Sequence, residues 1–354
     1  MSLVEHSRGK ATIFLVAGVS GRLGARVGGT GVKVGIIGAG AMGSLLGFYL
    51  SAAAEVWLLD PWQAQVEAIN TAGLRRELDG VVEVRHPRAT GDPAAIGPCD
   101  VVLVLVKAHQ TAWAATQARR LLRPAAAHGD GAQVALRSRT VVVTLQNGVG
   151  NREVLEAALG AAHVGQGVTA LGATLLGPGH VRHAGQGLTV FSTAPDPERM
   201  GALAALFSAC GLPAELSDDL EALVWGKLVV NVGINALTAL LRVPNGALVE
   251  VPEARALLEQ AVAEAVAVAR ARGTRLPDSD PLAHVLAVAR ATGANRSSML
   301  QDVLRGSPTE IATINGAVVR EGRRLGVPTP VNELLTALVQ ALDATASRRV
   351  ATAA

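Results

Sequence analysis

Hydrophobic and polar positions follow two regimes along the chain. Between residues 32 and 216, short apolar runs alternate with helical stretches and glycine-containing turns. Val32 to Ile37, Glu55 to Leu59, Asp100 to Val106, Thr140 to Leu145 and Leu212 to Leu216 read as strands. The uninterrupted apolar run from Asp100 to Val106 is typical of a parallel strand covered on both faces. Helical patterns follow the first strand through Leu50, span Arg152 to Leu159, and start again after Pro195. Val164 to Ala173 comes between, and Gly177 to Gly187 alternates with turn residues and predicts an irregular hairpin.

From Ser217 onward helical period takes over, with helices expected from Pro252 to Arg272, Asp280 to Ala291, up to Arg324, and Val331 to Leu342. The fold class is therefore α/β: a Rossmann-type doubly wound sheet over 32–216, then an all-helical domain over 217–345. Residues 1–31 are read as a flexible extension rather than a signal peptide, because the apolar core is short and leads into a Gly- and Arg-rich segment. Residues 346–354 are read as a tail, and Pro124 to Arg139 as a surface insertion.

Trp225 to Leu237 breaks its own pattern. Lys227, Asn231 and Asn235 recur at i, i+4 and i+8, drifting only about 80° around a helix that is otherwise apolar. A helix apolar all round is a buried one. Its buried ammonium and amides need partners, supplied either by other side chains or by a polar ligand.

The first candidate for such a ligand is a nucleotide. Gly38-Ala39-Gly40-Ala41-Met42-Gly43 lies between a strand and a helix, as the dinucleotide fingerprint requires. Gly38 permits the tight turn, Gly40 lets backbone amides approach a pyrophosphate, and Gly43 allows close helix–strand packing. Asp60 ends the second strand, where a carboxylate accepts from the adenosine ribose hydroxyls and repels a 2′-phosphate, which favours NADH over NADPH. Lys107 and Asn147 follow later strands, at the carboxyl edge where ligands bind. By residue type alone Lys107 also reads as a loop lysine, Asn147-Gly148 as a turn pair, and Asp60 as a turn residue before Pro61.

Composition narrows the class. The 354 residues are 49% hydrophobic and 17% charged, enough for two domains with substantial cores. The net charge of +3 is small and its basic residues are dispersed, which argues against nucleic acid as a partner. Two cysteines agree with a reducing cytoplasm. No run of about 18 uninterrupted apolar residues suggests a membrane span. His163, His180 and His183 have no further ligands at metal-binding spacing, so no metal is expected. Ser297 and Ser298 read as helix caps or ligand contacts, and Glu310 as a first-turn carboxylate.

The motifs, in order, resemble those of the ketopantoate reductase (2-dehydropantoate 2-reductase) family over about residues 32 to 342. They are the glycine loop, Lys107, Gln146-Asn147-Gly148, Gly179 to His183, Trp225 to Asn235 with Leu237-Thr238, Ser297 to Asp302, Thr309 to Ile311 with Ile314 to Gly316, and Gly326 to Pro330. The resemblance implies NAD(P)H-dependent reduction of 2-dehydropantoate to pantoate, in pantothenate and coenzyme A biosynthesis. By it, Lys227 is the general acid, Asn231 and Asn235 hold substrate oxygens, and Ser298 with Asn295 binds the carboxylate. Glu310 contacts the distal hydroxyl and belongs with Lys227 to the catalytic pair. Asn147 abuts nicotinamide and substrate, and Lys107 lies near the cofactor ribose and phosphate. Members using NADPH commonly carry a basic residue where this chain has Asp60, so the reading leans to NADH and leaves both open. An NAD-linked D-2-hydroxyacid dehydrogenase acting on branched or aromatic 2-keto acids is the alternative; a non-catalytic nucleotide-binding protein is more remote. Oligomeric state stays open, with a homodimer compatible with the Leu- and Ala-rich helices.

Overall fold

A computed structural model of the chain describes residues 31–123, 136 and 139–348. The extension up to residue 30, most of the 124–139 insertion and the tail after 348 lie outside the described residues. Along the first half the elements are β1 (Lys33–Ile37), α1 (Ala41–Leu50), β2 (Glu55–Leu59), α2 (Gln63–Ala72), β3 (Leu74–Leu78), β4 (Val81–Arg85) and β5 (Arg88–Thr90). They continue with β6 (Val101–Val104), α3 (Thr111–Arg119), β7 (Val141–Thr144), α4 (Asn151–Leu159), β8 (Val164–Thr169), β9 (Gly172–Gly177) and β10 (His180–Gly185). Then come β11 (Thr189–Ser192), α5 (Pro197–Ala209) and β12 (Ala214–Ser217).

Eight strands form one sheet in the order β12-β11-β8-β7-β6-β1-β2-β5. β1 pairs parallel with both β2 and β6, so the chain leaves β1 in both directions across the sheet. Such a reversal opens a crevice beyond the carboxyl ends of the strands, here those of β1 and β6. β1, β6 and β7 are buried on both faces, as their apolar runs require.

A second sheet, β4-β3-β10-β9, was not expected beyond its β9–β10 hairpin. The β3–β4 hairpin turns at Asp79 (φ 51°) and Gly80 (φ 78°), the Asp-Gly pair favoured where both central residues need positive φ. Its alternation is hidden because the inward position opposite Glu83 is Arg76, which is buried. The Arg76 guanidinium lies 5.1 Å from the Phe48 ring and 5.4 Å from the Tyr49 ring of α1 and pairs with Glu83, so a charged residue occupies a core position. The last strand of the large sheet, expected from Leu212 to Leu216, spans β12 instead.

The second half is helical: α6 (Leu220–Leu241), a short α7 (Ala247–Glu250), α8 (Pro252–Ala271), α9 (Pro281–Ala291), α10 (Ser298–Arg305), α11 (Asn315–Leu325) and α12 (Pro330–Ala344). α6 starts where the Asp219 side chain accepts from the Ala222 amide, and ends at Arg242 in the left-handed region. By length and composition it would cross a membrane, yet it is the core helix here, contacted by α8, α9, α10 and α12. Gly233 sets its closest approach to α8, since a Cβ there would lie 2.8 Å from Val262. Behind it, Asn315 Nδ2 donates to Val232 O (3.3 Å) and Asn332 Oδ1 (3.0 Å). Asn332 Nδ2 in turn donates to Ala261 O and Glu264. These fully buried amides link α6, α8 and α12 and fix the azimuth of α6, with Asn315 Oδ1 left without a partner among the described residues.

The halves meet where Val149 N donates to Thr313 O at 3.0 Å. Gly148 has φ +84°, and a Cβ there would lie 2.3 Å from that same oxygen. Gly148→Ala therefore strains the backbone and pushes the halves apart at once. It should cost about 1–3 kcal/mol and lower Tm by several degrees in a thermal melt. An unchanged melt would show that this seam is not closely packed.

Candidate active site

The glycine loop is shaped to bind an anion. Gly38 has φ +101° and abuts Val106, and a Cβ on Gly43 would lie 1.8 Å from Gly38 O, so neither position admits a side chain. Above Gly40 there is open space, and α1 begins with no side-chain cap, leaving its first amides free for a phosphate. The Ala39 carbonyl is held inward by Ser44 Oγ (2.9 Å) and Gln65 Nε2 (2.7 Å). Across that trans peptide the Gly40 N–H is turned the opposite way. Asp60 locks the loop from the other side: Oδ2 accepts from Ala39 N (2.7 Å) and Oδ1 from Trp62 N (2.9 Å). Each oxygen retains a lone pair, and the carboxylate is only half-buried. Ala41 and Met42 occupy the first turn of α1. This cradle fits a dinucleotide's pyrophosphate and ribose.

The polar stripe of α6 faces the carboxyl edge of β8. Lys227 Nζ donates to Thr169 O, the last residue of that strand, at 2.8 Å. Asn235 is buried, and its Nδ2 has no partner among the described residues; Asn231 is half-buried beside it. Burial pulls the Lys227 pKa down to about 8, against an opposing contribution from Glu310.

Glu310 belongs to a buried ion cluster spanning both halves. Lys107 Nζ lies 2.6 Å from Asp302 Oδ2 and 3.7 Å from Glu310 Oε2. Glu310 Oε1 also accepts from Ala108 N at 3.2 Å. Burial lowers the Lys107 pKa, but Glu310 and Asp302 more than offset this and the net shift is upward. Burial raises the Asp302 pKa, and Lys107 only partly compensates. With Lys227, the group holds two cations and two carboxylates, so its formal charges cancel.

Lys107 thus directs its ammonium toward two carboxylates of the helical half, whereas a cofactor ribose or phosphate contact was expected. Asn147 ends the β7 crossover, half-buried, its carbonyl accepting from Asn151 Nδ2 (3.0 Å). Ser298 is exposed in the first turn of α10. The cap is Ser297, which accepts from Leu300 N (3.0 Å) and Thr238 Oγ1 (2.7 Å). Asn295 is exposed, and its carbonyl accepts from Asn245 N. Ser44, Gln65, Thr169 and Asp302 were not singled out as site residues. Only Asp302, within the Ser297 to Asp302 motif, carried a sequence signal. Among the described residues no group of three metal-ligating side chains comes together.

The depressed Lys227 pKa fixes the sign of a pH effect on stability. Between about 8 and 10.5 the unfolded chain binds a proton that the folded chain does not, so stability rises with pH over that window. Lys227→Met removes the penalty, and its Tm should exceed the parent's at about pH 7, the gap closing toward about pH 10. A gap independent of pH would mean the ammonium is not desolvated.

Comparison with known proteins agrees with this geometry. The family described as ketopantoate reductase PanE/ApbA matches residues 34–196, and its C-terminal counterpart matches residues 219–343. The 2-dehydropantoate 2-reductase of Halobacterium salinarum is 38% identical over 313 residues, covering 87% of this chain and 98% of that protein. That of Archaeoglobus fulgidus is 35% identical over 314 residues, covering 88% and 98%. Among solved structures, a ketopantoate reductase of Ralstonia eutropha superposes with a TM-score of 0.78 at 36% identity, covering 89% and 100% of the two chains. D-mandelate dehydrogenase, solved with NADH and anilino(oxo)acetate, gives the same TM-score and coverage at 28% identity. With its fingerprint loop, core-helix stripe and family matches on both halves, this chain belongs to the ketopantoate reductase family.

Proposed function

We propose that the protein reduces 2-dehydropantoate (ketopantoate) to pantoate with NADH or NADPH, with Lys227 as the general acid. The observation that carries this is the stripe: a desolvated ammonium at the edge of β8, with the unpartnered Asn235 amide two turns along the same helix. When bound, the reduced nicotinamide supplies hydride to the C2 carbonyl carbon. The carbonyl π electrons move to oxygen, and Lys227 donates its proton there, giving the hydroxyl and a neutral amine. Its pKa of about 8 keeps it protonated at neutral pH and makes it a more willing donor than an ordinary lysine. Asn231 and Asn235 hold substrate oxygens, Ser298 and Asn295 bind the carboxylate, and Glu310 serves the distal hydroxyl and favours the charged state of Lys227. Asn147 borders the nicotinamide.

Lys227→Ala should cut kcat by about 10²–10⁴. In the parent, kcat/KM for reduction should fall as pH rises through about 8, because the donor loses its proton. Unchanged turnover in the variant would remove Lys227 from the chemistry.

A second reading keeps the scaffold and changes the substrate: an NADH-linked D-2-hydroxyacid dehydrogenase for branched or aromatic 2-keto acids. Asp60 and the likeness to D-mandelate dehydrogenase solved with NADH favour it. A matrix of kcat/KM for ketopantoate, 2-ketoisovalerate and 2-ketoisocaproate, each with NADH and NADPH, separates the two. Ketopantoate should be the best substrate and NADH the better cofactor. Preference for the hydrocarbon keto acids would favour the second reading, and preference for NADPH would mean that Asp60 does not face the ribose.

A further inference from the structure

A cationic cluster lies at the edge of the large sheet opposite the dinucleotide cradle. The amino ends of β6, β7 and β8 bring together Asp100, Thr140 and His163. Because β11 runs antiparallel to β8, the chain returns to this edge before entering α5. The first turn of α5 packs here: a Cβ on Gly165 would lie 3.0 Å from Met200. Beside Met200 is Arg199, only 3% exposed.

Its guanidinium is short of acceptors. Nε and Nη2 are buried and have no hydrogen-bond partner among the described residues. The guanidiniums at this edge, those of Arg123, Arg139 and Arg199, outnumber its carboxylates, Asp100 and Asp196. Arg139 Nη2 lies 2.8 Å from His163 Nε2, and His163 Nδ1 lies 3.2 Å from Thr140 O, so the imidazole accepts from Arg139 and donates to the carbonyl. Asp100 Oδ2 accepts from Lys33 N at 2.7 Å, and its Oδ1, which makes no hydrogen bond among the described residues, lies 3.2 Å from Arg123 Nη1. Asp196 is occupied in capping α5 through the amides of Glu198 and Arg199. Burial lowers the Arg199 pKa; Asp196 opposes this, Arg139 adds to it, and Asp100 opposes it.

A buried guanidinium without a hydrogen-bond acceptor is costly, and two carboxylates leave one of the three guanidiniums here without a counter-charge. We propose that Arg199 and Arg139, the latter oriented by His163, form a binding site for a small oxyanion of the phosphate class. Phosphate fits better than a carboxylate. Two guanidiniums offer two donor forks, which the oxygens of one phosphate can fill at once, whereas one carboxylate saturates a single fork.

Calorimetric titration of the full chain with inorganic phosphate tests this, with sodium chloride at matched ionic strength as the reference. Saturable binding is expected, weakened at least about tenfold in Arg199→Gln and in Arg139→Ala. Arg139 is only half-buried, so its variant keeps the test valid if Arg199→Gln fails to fold. Phosphate held at the glycine loop would be unaffected by either change. Absence of saturable binding, binding equal to the parent's in Arg139→Ala, or acetate binding as tightly as phosphate would each overturn the assignment.

Discussion

Two ammonium groups meet two buried carboxylates at the junction of the two halves, with the Lys107 side chain still 36% exposed, and the rest of the structure is arranged to make that tolerable. Lys107 comes from the crevice edge of the sheet, Asp302 and Glu310 from the helical half, and Lys227 from its core helix. Removing Lys107 would leave two buried carboxylates without the cation that pairs with them, which is far more costly than the intact set. On the proposed function, a keto acid entering here would add one negative charge through its carboxylate. Reduction would then consume one proton beside a lysine whose pKa burial has lowered to about 8.

Such a cluster works only if its parts stay in register. α6 carries Lys227 and is held from behind by the Asn315–Asn332–Glu264 network. The two halves approach through Gly148 and Thr313, where no side chain fits. On the cofactor side, Asp60, Ser44 and Gln65 fix the peptide planes of the glycine loop before any ligand arrives. Preorganisation of this kind lowers the reorganisation needed during reaction.

What could be read from sequence was what local patterns encode. β1, the glycine loop and α1 announce themselves within twenty residues, and the Lys227, Asn231 and Asn235 stripe shows through simple helical period. What stayed hidden depends on distant partners. β3 pairs in parallel with β10, about a hundred residues on, and its inward Arg76 breaks the expected alternation. Lys107 finds Asp302 and Glu310 about two hundred residues away, a distance over which spacing carries no information. Asp60 was legible as the acid ending β2, but its grip on the Ala39 and Trp62 amides was not.

The central claim is that the stripe is the floor of a keto acid site and not a self-contained polar network. A crystal structure with NADH and an unreactive oxamate-type analogue tests it directly. The account predicts that Lys227 Nζ leaves Thr169 O for the analogue's carbonyl oxygen, with Asn231 and Asn235 against the same molecule. An analogue bound elsewhere, with Lys227 still donating to Thr169 O, would contradict it.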